Sequence, residues 1–176
     1  MAKLKRGTVV LVCVAVLGAS TGCGSTPPEI PDGFCHVPVK KSALSPLIPN
    51  GDSTKQEFTA AQARPGAFCT LHVDSHQVLF AEIARWDRAS EPVDWNKVGS
   101  PYKYAAKREV SFPGYASIGS GNAIVEATCS TRTGYMSFDI YFRGDRVEET
   151  SNGYKKLLQF VNDFVPGATK KFDCTK

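Results

Sequence analysis

Tyr135-Met136-Ser137-Phe138-Asp139-Ile140-Tyr141-Phe142 alternates without a break. Met136, Phe138, Ile140 and Phe142 fall on one side of an extended chain, with Ser137 and Asp139 on the other, as the two-residue period of a strand requires. One apolar face and one mixed face mark a half-buried strand of an antiparallel sheet. Its upstream partner is Ala123-Ile124-Val125-Glu126-Ala127-Thr128-Cys129, in which Ala123, Val125, Ala127 and Cys129 share a face. Further upstream, Val110 to Phe112 and Tyr115 to Ile118 read as short strands about Pro113-Gly114, and Gly119 to Asn122 as a further turn. An earlier pair repeats the theme. Phe68 to Val73 puts Cys69, Leu71 and Val73 on one side, Asp74-Ser75 turns the chain, and Gln77 to Trp86 returns it.

Each hairpin runs cysteine, strand, turn, strand, Asp-Arg (Asp87-Arg88 and Asp145-Arg146), and then a segment with Tyr-Lys (Tyr102-Lys103 and Tyr154-Lys155). The second Tyr-Lys opens the strongest helix pattern: Ser151 as cap, then Tyr154, Leu157, Leu158, Val161, Phe164 and Val165 as one apolar stripe, closed by Pro166-Gly167. The first lies in Asp94 to Arg108, where Trp95, Val98, Tyr102 and Ala105 recur at helical spacing and Gly99-Ser100-Pro101 interrupts them. The expected fold is therefore α+β: an antiparallel sheet with helices packed on one face, laid out as two ββα pseudo-repeats. Ser42 to Ile48 adds one or two helical turns before Pro49-Asn50-Gly51.

The N-terminus reads as an address. Lys3, Lys5 and Arg6 precede nine apolar residues, Val9 to Leu17, too few to span a bilayer and suited to a signal peptide over residues 1–22. Thr21-Gly22-Cys23 follows, then a Pro-rich polar stretch to Gly33, read as a flexible tether over 23–33, with one domain over 34–176. Three of the 21 basic residues and none of the 17 acids lie in the signal, so the remainder carries 18 against 17. That near-neutral balance gives nucleic-acid binding no electrostatic footprint.

Six cysteines are present. Cys13 belongs to the signal and Cys23 to its end, leaving Cys35, Cys69, Cys129 and Cys174 for two disulfides in an exported chain. Spacing alone permits three pairings. If the halves are equivalent, Cys35 with Cys69 and Cys129 with Cys174 is preferred, because each closed loop then stays within its own half. No Cys-x-x-Cys motif argues for a redox site or zinc, and neither a metal nor a cofactor is expected.

Thr21-Gly22-Cys23 resembles the lipidation box of bacterial lipoproteins, departing from it at Ser20, where that family has Leu. The resemblance implies a diacylglyceryl group on Cys23 and a place on the outer face of the cytoplasmic membrane. The Ser20 departure leaves ordinary secretion, with cleavage after Ala19-Ser20-Thr21, as the alternative. The wider layout also carries a likeness: Cys23, the Pro-rich tether, Phe34-Cys35, the Cys69 strand, Trp86-Asp87, Tyr102 to Ala106, Cys129 and the Tyr154-Lys155-Lys156-Leu157 helix. It looks like that of the small exported lipoproteins of actinobacteria, a family of unassigned function, and implies location and fold without assigning any catalytic residue.

Within the domain, His72 and His76 lie about a turn where their rings do not converge, and Cys69 faces inward while His72 faces outward. Gly119-Ser120-Gly121 joins strands instead of opening a helix, which is wrong for a phosphate cradle. Glu82, Glu126 and Asp139 are strand carboxylates that, if paired on an open face, would suit hydrolysis. Phe80, Trp86, Tyr135 and Tyr141 make a binding patch if no helix covers their face, and a second buried face otherwise. The expectation is a non-enzymatic, monomeric module that binds a small ligand or an envelope protein. The alternatives are an envelope hydrolase and an accessory subunit of a membrane complex.

Overall fold

A computed structural model describes residues 28–131 and 133–176. The expected signal segment, Cys13 and Cys23 lie outside the described residues, as does the first part of the expected tether. Two short strands, β1 (Gly33–Phe34) and β2 (Val37–Pro38), form a separate ribbon. A single turn, α1 (Lys41–Leu44), then runs into a 3-10 turn at Ser45–Leu47. Seven strands follow: β3 (Thr54–Ala60), β4 (Gly66–Val73), β5 (His76–Trp86), β6 (Ala106–Arg108), β7 (Gly114–Ile118), β8 (Asn122–Thr128) and β9 (Tyr135–Phe142). They make one antiparallel sheet in the order β3-β4-β5-β9-β8-β7-β6. The last helix, α2 (Tyr154–Lys171), packs on one face of it.

The two expected hairpins are present and occupy equivalent places, with β5 and β9 paired at the centre and β4 and β8 flanking them. Each gains a strand on its outer side, so the repeated unit is a three-stranded meander, β3-β4-β5 and β7-β8-β9. The Asp74-Ser75 turn carries φ of 47° and 69°, the left-handed pair that a two-residue hairpin needs.

Both disulfides have the preferred pairing, Cys35–Cys69 and Cys129–Cys174, with Cα separations of 5.4 and 4.5 Å. The first pins the N-terminal ribbon over β4, and the second pins the chain end beside β8.

The inner face holds the core. Leu71, Leu79, Ile83, Phe138 and Ile140 meet Leu157, Phe160, Val161, Phe164 and Val165 of α2, all buried. Phe164 stacks on Phe160 at 5.1 Å and takes Phe138 edge-on at 6.2 Å, while Phe34 of β1 closes the cluster at 5.5 Å from Phe164. Burying each such ring contributes about 2 to 3 kcal/mol.

Four local expectations are corrected. Asp94 to Arg108 is a succession of tight turns leading into β6, with no helix. The i to i+3 bonds Ser100 N to Lys97 O, Tyr102 N to Gly99 O and Ala105 N to Tyr102 O tighten the chain around Gly99 and Pro101, and Trp95 and Tyr102 spend their rings on the sheet. Val110 to Phe112 is not a strand, since the edge strand β6 ends at Arg108.

The final helix starts from Gly153 without a side-chain cap at Ser151 and runs through Pro166 to Lys171. Pro166 forfeits one backbone bond, but the turns beyond it are held by buried Ala168 and Thr169, by the Cys129–Cys174 bridge and by Arg85, which donates to Phe172 O at 2.8 Å. Finally, residues 28–33 are not free. Pro28 is buried, Ile30 packs against the core, Thr54 Oγ1 donates to Glu29 O and Gln56 Nε2 donates to Gly33 O.

Candidate functional site

Among the described residues no helix covers the outer face of the sheet at β4, β5 and β9. Its side chains are set by register. Along β5 and β9, opposed residues form four rungs: Phe80 with Tyr141, Glu82 with Asp139, Ala84 with Ser137, and Trp86 with Tyr135. Directly opposed Cβ atoms on one face of an antiparallel pair lie about 5 Å apart, so the two carboxylates are neighbours. An aromatic pair closes each end of the ladder. Phe80 and Tyr141 are 6.2 Å apart, and Trp86 and Tyr135 stack at 6.2 Å with planes 18° apart.

The structure thus brings all four expected aromatic residues onto one face, each half-buried by its neighbours. It pairs Glu82 with Asp139 and sets Glu126 opposite Ser137, one rung along on the same face, where Ser90 Oγ donates to Glu126 Oε2 at 2.7 Å.

Burial raises the Asp139 carboxyl above its ordinary range, and the Glu82 charge adds to the shift. Two like charges in adjacent places repel, so Asp139 holds its proton more tightly than a free aspartate does. No hydrogen bond or ion pair reaches Asp139 among the described residues. Beside Glu82 lies Arg64, whose Nη2 is 3.8 Å from its Oε1. The Arg64 guanidinium also lies 4.1 Å over the Trp86 ring, and Trp86 Nε1 donates to Ser137 Oγ at 2.9 Å. At the other end, a hydrogen bond with Tyr102 at 3.0 Å, with burial behind it and the two carboxylates nearby, pushes the Tyr141 hydroxyl up to about 12. That hydroxyl stays neutral and available to donate or accept.

The face has two borders. On one side, the turns after β5 fold over β7 and β8: Trp95 stacks on Tyr115 at 5.7 Å, and Gly99 lies so close to Ser117 that a Cβ there would strike its hydroxyl. On the other, the β3–β4 turn leaves a groove of about 380 Å³, lined by Ala61, Ala63, Arg64, Phe68 and Glu82 among others. Phe68, opposite Glu82 in register, is 40% exposed, which is high for so large an apolar ring.

Sequence reading missed Arg64, Phe68 and Ser137 as parts of this surface. Phe68 was legible, being out of phase with Cys69 and Leu71. Arg64 was not, because it acts from a turn.

The histidines are separate. His72 Nε2 is 3.9 Å from Glu57, and His76 Nδ1 donates to Asp74 O at 2.9 Å. Among the described residues no three of His, Cys, Asp and Glu group to hold a metal, and no helix is long and apolar enough to cross a membrane. No family model, no curated protein and no solved structure matches the chain.

Proposed function

We propose that this chain is a membrane-anchored extracytoplasmic lipoprotein, tethered through Cys23, whose folded part is a non-enzymatic module that binds an envelope partner through the open face of β4, β5 and β9. The observation that carries the binding reading is the ladder itself: a carboxylate rung between aromatic rungs, on a sheet face that no helix covers among the described residues. Aromatic faces attract cations, and a cation beside Glu82 and Asp139 would relieve the repulsion between them, so the group recognised is cationic, a lysine or arginine side chain of the partner. Arg64, lying over Trp86 and beside Glu82, is the chain's own example of that chemistry. Two disulfides support an oxidising compartment.

The test is capture of envelope neighbours by the full chain, wild type against Glu82→Lys with Asp139→Lys. A neighbour retained by the wild type and lost from the variant is expected, and equal retention overturns the face. The anchor is tested separately by the mass of the N-terminal peptide of the mature protein, which should begin at Cys23 and carry lipid.

A second reading, an envelope hydrolase, has one observation in its favour: adjacent carboxyls of which one is pushed toward its protonated form, the asymmetry acid–base pairs use. Cleavage of an envelope polysaccharide that Asp139→Asn abolishes would put this reading in place of the first.

A further inference from the structure

We propose that β3 is a self-association edge, through which two copies of this chain pair antiparallel with Gln56 on the two-fold axis. The sheet ends at β3 on one side, and this edge is seven residues long, against three for β6 on the other. Its backbone register can be read from its ends. Asp74 N donates to Ser53 O and Ala61 N donates to Gly66 O, so Ser53 with Asp74 and Ala61 with Gly66 are hydrogen-bonded pairs. The register between them is unshifted, and such pairs recur at every second residue. Lys55, Glu57 and Thr59 therefore turn their backbone groups toward β4. Those of Thr54, Gln56, Phe58 and Ala60 point away from the sheet, and no backbone hydrogen bond to another segment takes them up among the described residues.

A second β3 strand can satisfy them only in registers that a two-fold axis permits, and charge chooses among these. Centring on Lys55 or Glu57 sets like charges face to face. Centring on Gln56 opposes Gln56 to itself and Thr54 to Phe58 in hydrogen-bonded pairs, all three residues having outward backbone groups. It then sets Lys55 of each copy against Glu57 of the other in the closer, non-bonded pairs. Lys55 and Glu57 already lie 2.8 Å apart within one strand, with side chains 73% and 53% exposed, so the dimer would join two such pairs into a box of alternating charges. A lysine on an edge repels most strands that approach it. Only a strand with an acid in the matching place is accepted, and the chain's own β3 has one. The inference does not depend on the open-face reading or on lipid at Cys23.

The test uses the full-length chain carrying two different affinity tags, co-expressed and solubilised in excess detergent micelles. Wild-type copies should co-purify. Lys55→Glu with itself and Glu57→Lys with itself should each lose most of that recovery, because each sets like charges opposite one another. Lys55→Glu mixed with Glu57→Lys should regain it, since the opposed charges match again. Both positions are exposed, so the variants should keep the wild-type thermal midpoint within a few degrees, and this is measured alongside. Wild-type copies that do not co-purify, or a mixture no better than either variant alone, overturn the proposal.

Discussion

Asp139 is a carboxylate whose surroundings favour its acid form, and this has a sign in stability. Its folded pKa is raised above the unfolded value, so between the two the folded state holds the proton more tightly. Stability should therefore fall as pH rises through that window above the ordinary aspartate range, and the penalty should persist at neutral pH. Asp139→Asn should flatten this part of the profile, as chemical denaturation at a series of pH values would show; an unchanged slope would assign the pH dependence elsewhere. Arg85 works in the opposite sense. It points inward from β5, its Nη1 donates to Phe172 O at 2.8 Å and its Nε lies 3.3 Å from Asp87. Its charge complements the negative end of the α2 dipole, so Arg85→Met should cost about 1.5 to 3 kcal/mol in urea denaturation, the usual worth of a charge-assisted hydrogen bond.

Among the elements, α2 depends most on what holds its far end. With Cys129 and Cys174 both replaced by Ser, the loop of 45 residues opens. On chain-entropy grounds the loss is about 4 kcal/mol, with hydrogen exchange in the last turns of α2 rising first. Phe164→Ala, which leaves a cavity between Phe34, Phe138 and Phe160, should cost about 3 to 5 kcal/mol by the same denaturation measurement.

The elements that build this core were the legible ones. β9 and α2 each bury one face against the core, so their apolar periods match their geometry. β3 was not legible: Thr-Lys-Gln-Glu-Phe-Thr-Ala holds one large apolar side chain, because an edge strand buries little. The Asp94 to Arg108 pattern misled because Trp95 and Tyr102 pack on strand residues Tyr115 and Tyr141 and not along a helix. The outer ladder was half legible. Which residues face outward follows from alternation, but which acid opposes which follows from pairing β5 with β9, and no local pattern carries that.

For the whole molecule, two meanders meeting at β5 and β9 leave one face to the core and the other to solvent and loops. The function proposed here lives on the second. The N-terminal segment, running beneath β3, sets how far that face can travel. With residues from Pro28 onward attached to the domain, a lipid on Cys23 would be followed by five Cα steps, about 17 Å at full stretch. The proposed anchor thus becomes a short leash: the domain would hang close under its own N-terminal ribbon, with little freedom to tumble, and any partner would meet it in a restricted pose. A fluorophore attached at Glu29 should then be quenched by lipids labelled at the headgroup, and an unquenched signal would mean that the domain stands clear of the bilayer.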